Sequence, residues 1–378
     1  MPECELPHGA SGREQAHHAQ ADEEMTADAE GRASADMAPV DEYIAKHGVV
    51  QAIQAKRVAS LLMTYRCTLA CAHCLFNCGP RQPRRYHSVE QGVRYLRMLH
   101  ATDRVIHIAG GEAMMEYETM LAICREASGH EAAPHFIETN ATWCTNTALV
   151  RRRLRELKDT GMRGLYISAD PFHLAFFPVT RYLRCYEGAV ELFGEENVMA
   201  PKATRQQLRE MQEVGRDPER LAEFVRGSPP QMVGRAGEAL ARLLPARPIE
   251  EFGGDRLWQG KPEGMSCARE FAPDTMWEIH IDPYDNIQTC CGVIVGNGRR
   301  TPLAEAIAAG FAKGNPIVAA LCEEGPVGLL RMAEALGYER GEYVQKCHLC
   351  CQVRRFLRPH FPEILGPDEI YCSAPERV

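Results

Sequence analysis

Arg66-Cys67-Thr68-Leu69-Ala70-Cys71-Ala72-His73-Cys74 follows a short apolar run, Val58 to Met63, and carries three cysteines spaced C-x3-C-x2-C. The apolar run predicts a strand, so the cysteines fall on the loop at its carboxyl end. Three thiolates on so tight a loop can each bind a different iron of one [4Fe-4S] cube. The fourth iron then has no protein ligand and stays open to a small molecule. The alternative is a structural zinc or an ordinary iron–sulfur loop, with Cys78 as fourth ligand.

The chain has 378 residues, of which 45% are hydrophobic, so it is long enough for two domains and a sizeable core. Net charge is -8 and there is no dense Lys/Arg block. Arg151 to Arg155 lies within a helical pattern and reads as a solvated face. No nucleic-acid partner is indicated. Sixteen cysteines in close clusters favour metal over disulfides, and an open cluster needs reducing conditions. No signal peptide and no transmembrane run is visible. The expected location is cytoplasmic, with no membrane contact.

Around the cysteine loop, strand and helix alternate. Ser88 to Leu99 predicts a helix, with Ser88 and Gln91 as a capping box. Val105 to Ile108 predicts a strand, Tyr117 to Ala127 a helix, His135 to Glu138 a strand, and Thr147 to Asp159 a helix. Leu165 to Ser168 predicts a fourth strand, Tyr182 to Phe193 a helix, and Asn197 to Met199 a short fifth strand. Asp217-Pro218 opens a further helix. Gln231 to Val233 is the candidate sixth strand. Such alternation implies a parallel sheet with helices outside and a site at the carboxyl ends of the strands. Residues 1–45 are polar and small and are expected to form a disordered tail. The expected domains are then 46–245 and 246–378.

The motifs at those strand ends carry a resemblance. Ile108-Ala109-Gly110-Gly111-Glu112, Glu138-Thr139-Asn140 and Ser168-Ala169-Asp170 follow the C-x3-C-x2-C loop in order. Together they resemble the radical S-adenosylmethionine (SAM) enzymes. The resemblance implies an α/β fold, a partial (β/α)6 barrel, with a [4Fe-4S] cluster on Cys67, Cys71 and Cys74. It implies that the cluster's open iron chelates SAM, and that one electron cleaves SAM to a 5'-deoxyadenosyl radical. His73 fills the place, before the third cysteine, where the family usually has an aromatic residue. Gly110, Gly111 and Glu112 would hold the SAM amino group, and Asn140 and Ser168 its other polar groups. Arg181 would pair with the SAM carboxylate, with Arg184 as its competitor. Asp170 and His173, in Asp170-Pro171-Phe172-His173, are candidates to position substrate or move a proton. An external flavodoxin- or ferredoxin-type donor would supply the electron.

A second cysteine set follows. Trp277 to Ile281 and Ile287 to Cys290 predict a hairpin around Pro283-Tyr284-Asp285-Asn286. Cys267 precedes it, and Cys347-His348-Leu349-Cys350 comes later. This layout resembles the SPASM and Twitch extensions, small cysteine-rich α+β domains that bind auxiliary clusters. The resemblance implies a second [4Fe-4S] cluster on Cys267, Cys290, Cys347 and Cys350, with Cys291 and Cys351 as rivals and zinc as the alternative. Asp285 departs from the pattern, standing where those domains usually have glycine.

Relatives with such extensions often modify ribosomal peptides or protein side chains by oxidative crosslinking or dehydrogenation. That is the first functional expectation, with a separate leader-binding partner implied by the short polar N-terminus. Oxidation of a small metabolite, such as a sugar or aminocyclitol, is the second. A non-catalytic zinc or iron–sulfur binding protein is the third.

Overall fold

A computed structural model describes residues 38–252 and 267–371. The tail expected over residues 1–45 lies outside the described residues up to position 37. From Val40 the chain is already helical, so the tail as drawn extends too far. Helix α1 spans Val40–Ala55 and is broken at Gly48, where φ is +83°. A side chain at Gly48 would run into the Glu196 carbonyl.

Six parallel strands form most of one open eight-stranded sheet. They are β1 (Val58–Leu62), β2 (Val105–Ala109), β3 (Phe136–Thr139), β4 (Gly164–Ile167), β5 (Val198–Met199) and β6 (Glu278–Ile281). Antiparallel β7 (Asn286–Gln288) and β8 (Ile294–Asn297) complete the order β5-β4-β3-β2-β1-β6-β7-β8. The sheet does not close, and the fold is a partial α/β barrel. The crossover helices are α2 (Val89–His100), α3 (Tyr117–Ser128), α4 (Thr147–Lys158) and α5 (Val179–Phe193). Ser88 and Gln91 form the expected capping box on α2, contributing about 1 kcal/mol.

Gln231 to Val233 is not a strand. The sixth parallel strand is β6, which pairs with β1 from Val58↔Glu278 to Leu61↔Ile281. The segment between carries α6 (Arg205–Arg216) and α7 (Pro218–Gly227), and α8 (Leu303–Ala309), α9 (Pro316–Glu324), α10 (Pro326–Glu334) and α11 (Lys346–Leu357) follow the hairpin.

Period-two alternation assigns the two faces of the sheet. Ala59, Leu61, Ile106, Ile108, Ile137, Leu165 and Ile167 join the large apolar core with the crossover helices. Val58, Val105 and Phe136 point the other way and pack on Val40, Ile44, Val49 and Ala52 of α1. Helix α1 therefore plugs the amino-terminal end of the inner face. The carboxyl end is left for the loops that carry the candidate site. No described helix is long and apolar enough to cross a membrane.

Candidate active site

The cysteine loop is pinched at its base. Arg66 bridges Gly79, Cys67 N donates to Gly79 O (3.1 Å), and Gly79 N donates to Tyr65 O (3.2 Å). Within it, Cys74 N donates to Cys71 O at 3.1 Å, so the second and third cysteines share one tight turn. Arg235 holds the loop from outside. Its guanidinium donates to Cys71 O (2.8 Å), Asn77 O (3.1 Å) and Cys78 O (2.5 Å). Its own N–H donates to Cys74 O at 3.0 Å. Sequence reasoning missed Arg235, whose only signal was its place after Gly234, where φ is +59°.

Gly110 and Gly111 are needed for backbone packing against this loop. Gly110 has φ +120°, and a Cβ at Gly111 would sit 1.9 Å from Arg66 O. The close approach lets Gly111 N donate to Thr64 O (2.7 Å) and Glu112 N to Arg66 O (3.1 Å). The glycines thus bring β2's exit against β1's exit and set Glu112 beside Cys67.

Glu112 is 2% exposed. Its carboxylate accepts from Asn140 N (2.9 Å), Thr139 Oγ1 (2.9 and 3.2 Å) and Met114 N (3.2 Å). Burial nevertheless pushes its carboxyl up to about 7. An ammonium group placed against it would favour the ionised form. Asn140 Nδ2 donates to Cys67 Sγ (3.4 Å) and Thr68 Oγ1 (3.1 Å), while its Oδ1 accepts from Thr142 N (3.0 Å). Thr68 and Thr142, neither singled out from sequence, complete this network.

A cleft of about 320 Å³ opens here, lined by Thr68, Glu112, Met115, Trp143, Phe177 and Arg181 among others. Arg181 Nη1 donates to Thr142 O at 2.6 Å. Arg184 is turned to Cys144 O instead. Ser168 sits half-buried at the end of β4, its N–H donating to Thr139 O at 3.0 Å.

His73 reaches across to β4's exit. It stacks on Phe172 with ring centroids 4.5 Å apart, and its Nε2 lies 3.2 Å from Asp170 Oδ2. His173 Nδ1 lies 2.9 Å from the same oxygen, and His173 N donates to Asp170 Oδ1 at 2.9 Å, capping the short helix Pro171–Leu174. Burial opposes charge on Asp170. Hydrogen bonds from His173 and His73 outweigh it and hold the carboxyl well below the usual range.

The residues fit a cube better than a single ion. A tetrahedral zinc with Zn–S near 2.3 Å sets its sulfurs about 3.8 Å apart. Among the described residues, only Asp41/His100/His135 and His73/Asp170/His173 bring three or more ligand atoms within 4.8 Å of one another. Neither cysteine set is that tight. A hydrogen bond from the Cys78 thiol lowers the Cys74 thiol to about 6; burial opposes this and the charge of Arg235 aids it.

At the second set, Cys267 opens a short 3-10 turn, Cys290 follows β7, and Cys347 and Cys350 share a face of α11. Burial pushes the Cys290 thiol up to about 12, and Cys267 and Cys347 stand near enough to add to the effect. Cys350 is raised by burial and by Cys290, Cys267 and Cys347. Cys351 lies toward Gly237, where a Cβ would come within 3.5 Å of its sulfur. Cys291 offers its carbonyl to Arg354 Nη1 at 2.7 Å. Arg354 is 2% exposed, and its Nε has no hydrogen-bond partner. Among the described residues it ion-pairs with no carboxylate, and its charge faces Cys350 and Cys290. A buried cation needs a nearby anion, and thiolates or an anionic cluster would supply it.

Residues 61–183 match the family model described as the Radical SAM superfamily. This stretch of the chain is a radical SAM domain. Solved structures similar to the chain include BtrN in complex with AdoMet and 2-DOIA, at 14% identity. That match covers 72% of this chain and 89% of that one, with a TM-score of 0.40. Streptococcus suis SuiB bound to S-adenosylmethionine is 13% identical over 77% of each chain, with a TM-score of 0.34. A second SuiB structure is 12% identical, covering 84% of this chain and 86% of that one, with a TM-score of 0.34. No curated protein matches.

Proposed function

We propose that the protein is a radical SAM enzyme that oxidatively modifies a ribosomal peptide or protein side chain, by crosslinking or dehydrogenation. The observation that carries the radical SAM chemistry is the placement of Cys67, Cys71 and Cys74 on one pinched loop beside buried Glu112 and an open cleft. When bound, a [4Fe-4S] cluster at this trio would supply the electron that cleaves SAM to a 5'-deoxyadenosyl radical. The chain's own residues do the rest. Glu112 receives the SAM ammonium, Asn140 positions Cys67, and Arg181 stands at the cleft for a carboxylate. Trp143 and Phe177 give the cleft an apolar wall that excludes water.

The auxiliary cluster on Cys267, Cys290, Cys347 and Cys350 belongs to the same reading, and buried Arg354 and Lys346 favour its negative charge. Peptide as substrate rests on the SPASM- and Twitch-like cysteine layout. Oxidation of a small metabolite rests on the same layout and differs in the substrate alone.

Anaerobic reconstitution with SAM and dithionite tests the reaction. The chain is expected to release 5'-deoxyadenosine, and Cys71→Ala to release none. Equal release from both proteins would refute the assignment. Loss of two hydrogens from a peptide encoded beside the gene would establish the substrate class, and loss of two hydrogens from a sugar would replace it.

A further inference from the structure

The inner face of the sheet is apolar only at its plugged end. One step toward the carboxyl ends it turns polar. Ser60, His107 and His280 lie in register on β1, β2 and β6. Glu138 and Tyr166 are paired on β3 and β4. His107 is 3% exposed and bridges two carboxylates, with Nε2 3.0 Å from Glu278 and Nδ1 3.3 Å from Glu138. Nδ1 makes no hydrogen bond despite its burial. His280 Nδ1 meets Ser60 Oγ at 2.6 Å, and its ring edge touches Phe76 of the cysteine loop, with centroids 5.1 Å apart.

Charges along this layer alternate. Arg104 and His107 act on Glu278, and Glu138 and Glu278 act on His107. Arg104 Nη1 is spent on the carbonyls of Val58, Met276 and Trp277. The row ends on Glu138, which is 37% exposed and, among the described residues, has no ion pair except His107. Buried ion pairs seldom improve on apolar packing, and the opposite face of the same strands is apolar except for Thr139 at the end of β3. A polar row left open at one end, on a carboxylate, is organised to continue onto something else. Burial raises the Tyr166 hydroxyl, and the charges of both Glu138 and Asp170 add to the effect.

We propose that Glu138, with His107 and Glu278 behind it, forms a subsite on the inner face that takes a protonated amine of the substrate. This rests on the function proposed above for the position of the reacting carbon, whereas the site itself rests on the geometry just given. A lysine side chain and an amino sugar share this chemistry.

The test is calorimetric titration of the anaerobically reconstituted full chain with SAM present. The probes are N-acetyl-lysine methylamide and glucosamine, each against its N-acetylated, uncharged twin. At least one amine should bind about tenfold more tightly than its twin, as expected for one charge-assisted contact. Glu138→Gln should bring the two within about twofold, and Glu138→Asp should keep the preference. Preference for the lysine probe marks a peptide source, and preference for glucosamine an amino sugar. Equal binding of amine and twin, absence of binding by both amines, or a preference that survives Glu138→Gln overturns the proposal. A chain that releases 5'-deoxyadenosine without amine preference keeps the reaction and loses this site. One with amine preference and no release does the reverse.

Discussion

His73 Nε2 lies 3.2 Å from Asp170 Oδ2, so the residue before the third cysteine is tied to the exit of the fourth strand. The same carboxylate receives His173, and its second oxygen caps a helical turn. One side chain thus fixes a loop, a ring stack and a helix start.

Asp170→Ala should lose all three and destabilise the fold by about 2 kcal/mol. Asp170→Asn keeps the cap oxygen and loses the charge, and should cost about half as much. Urea unfolding of the three proteins gives the order. A smaller cost for Ala than for Asn would contradict this role for the carboxylate.

His107 titrates against its surroundings. Burial opposes its charge, but Glu138 and Glu278 outweigh burial and raise it to about 9, with His280 and Arg104 the other charged or titratable groups nearby. The folded value lies above the unfolded one of about 6.5, so the contribution is complete below that pH. It is lost as pH rises through the folded value. Allowing for the partial exposure of Glu138, the loss should be on the order of 2 kcal/mol. Unfolding free energy measured from pH 6 to 9 should fall more steeply for the wild type than for His107→Gln. Parallel curves would show that the ring is neutral in the folded protein.

Asp285 occupies a backbone position suited to glycine. Its φ is +66°, and its carboxylate is held by Tyr95 OH, Gln91 Nε2 (2.9 Å) and Arg299 Nε (2.6 Å). Side-chain bonds therefore offset a strain of about 1 kcal/mol. Asp285→Gly should lose the bonds and relieve the strain, while Asp285→Ala loses the bonds and keeps the strain. Thermal melting should rank wild type above Gly and Gly above Ala, and the reverse order of the two variants would rule out strain at this turn.

Iron content separates the cysteines. The reconstituted wild type should hold about eight irons per chain, two cubes of four. Alanine at Cys267, Cys290, Cys347 or Cys350 should reduce this to about four, while alanine at Cys351 leaves it near eight. Four irons with one zinc in the wild type would replace the second cube by a structural ion.

Much of the sheet was legible because each strand is a short apolar run bounded by turn residues, and Ser88 and Asp217 announce their helices as caps. The sixth strand was misplaced because Gln231 to Val233 and Glu278 to Ile281 both look like strands locally. Only pairing with β1 distinguishes them, and pairing is a tertiary property. Helix α1 escaped notice because its apolar face is narrow and its middle is broken at Gly48. At the site, Cys67, Gly111 and Glu112 stood out by spacing. Arg235, Arg354 and His107 did not, because an isolated charged residue in a sequence does not reveal that it is buried, or against what.

One consequence follows from the shared edge of β1 and β6. Four consecutive residue pairs lace these strands together. One leads into Cys67, and the other begins the hairpin that ends at Cys290. Redox centres carried on them would be anchored to one shared sheet edge, with no swinging arm between. Electron traffic from one to the other would then be governed by driving force.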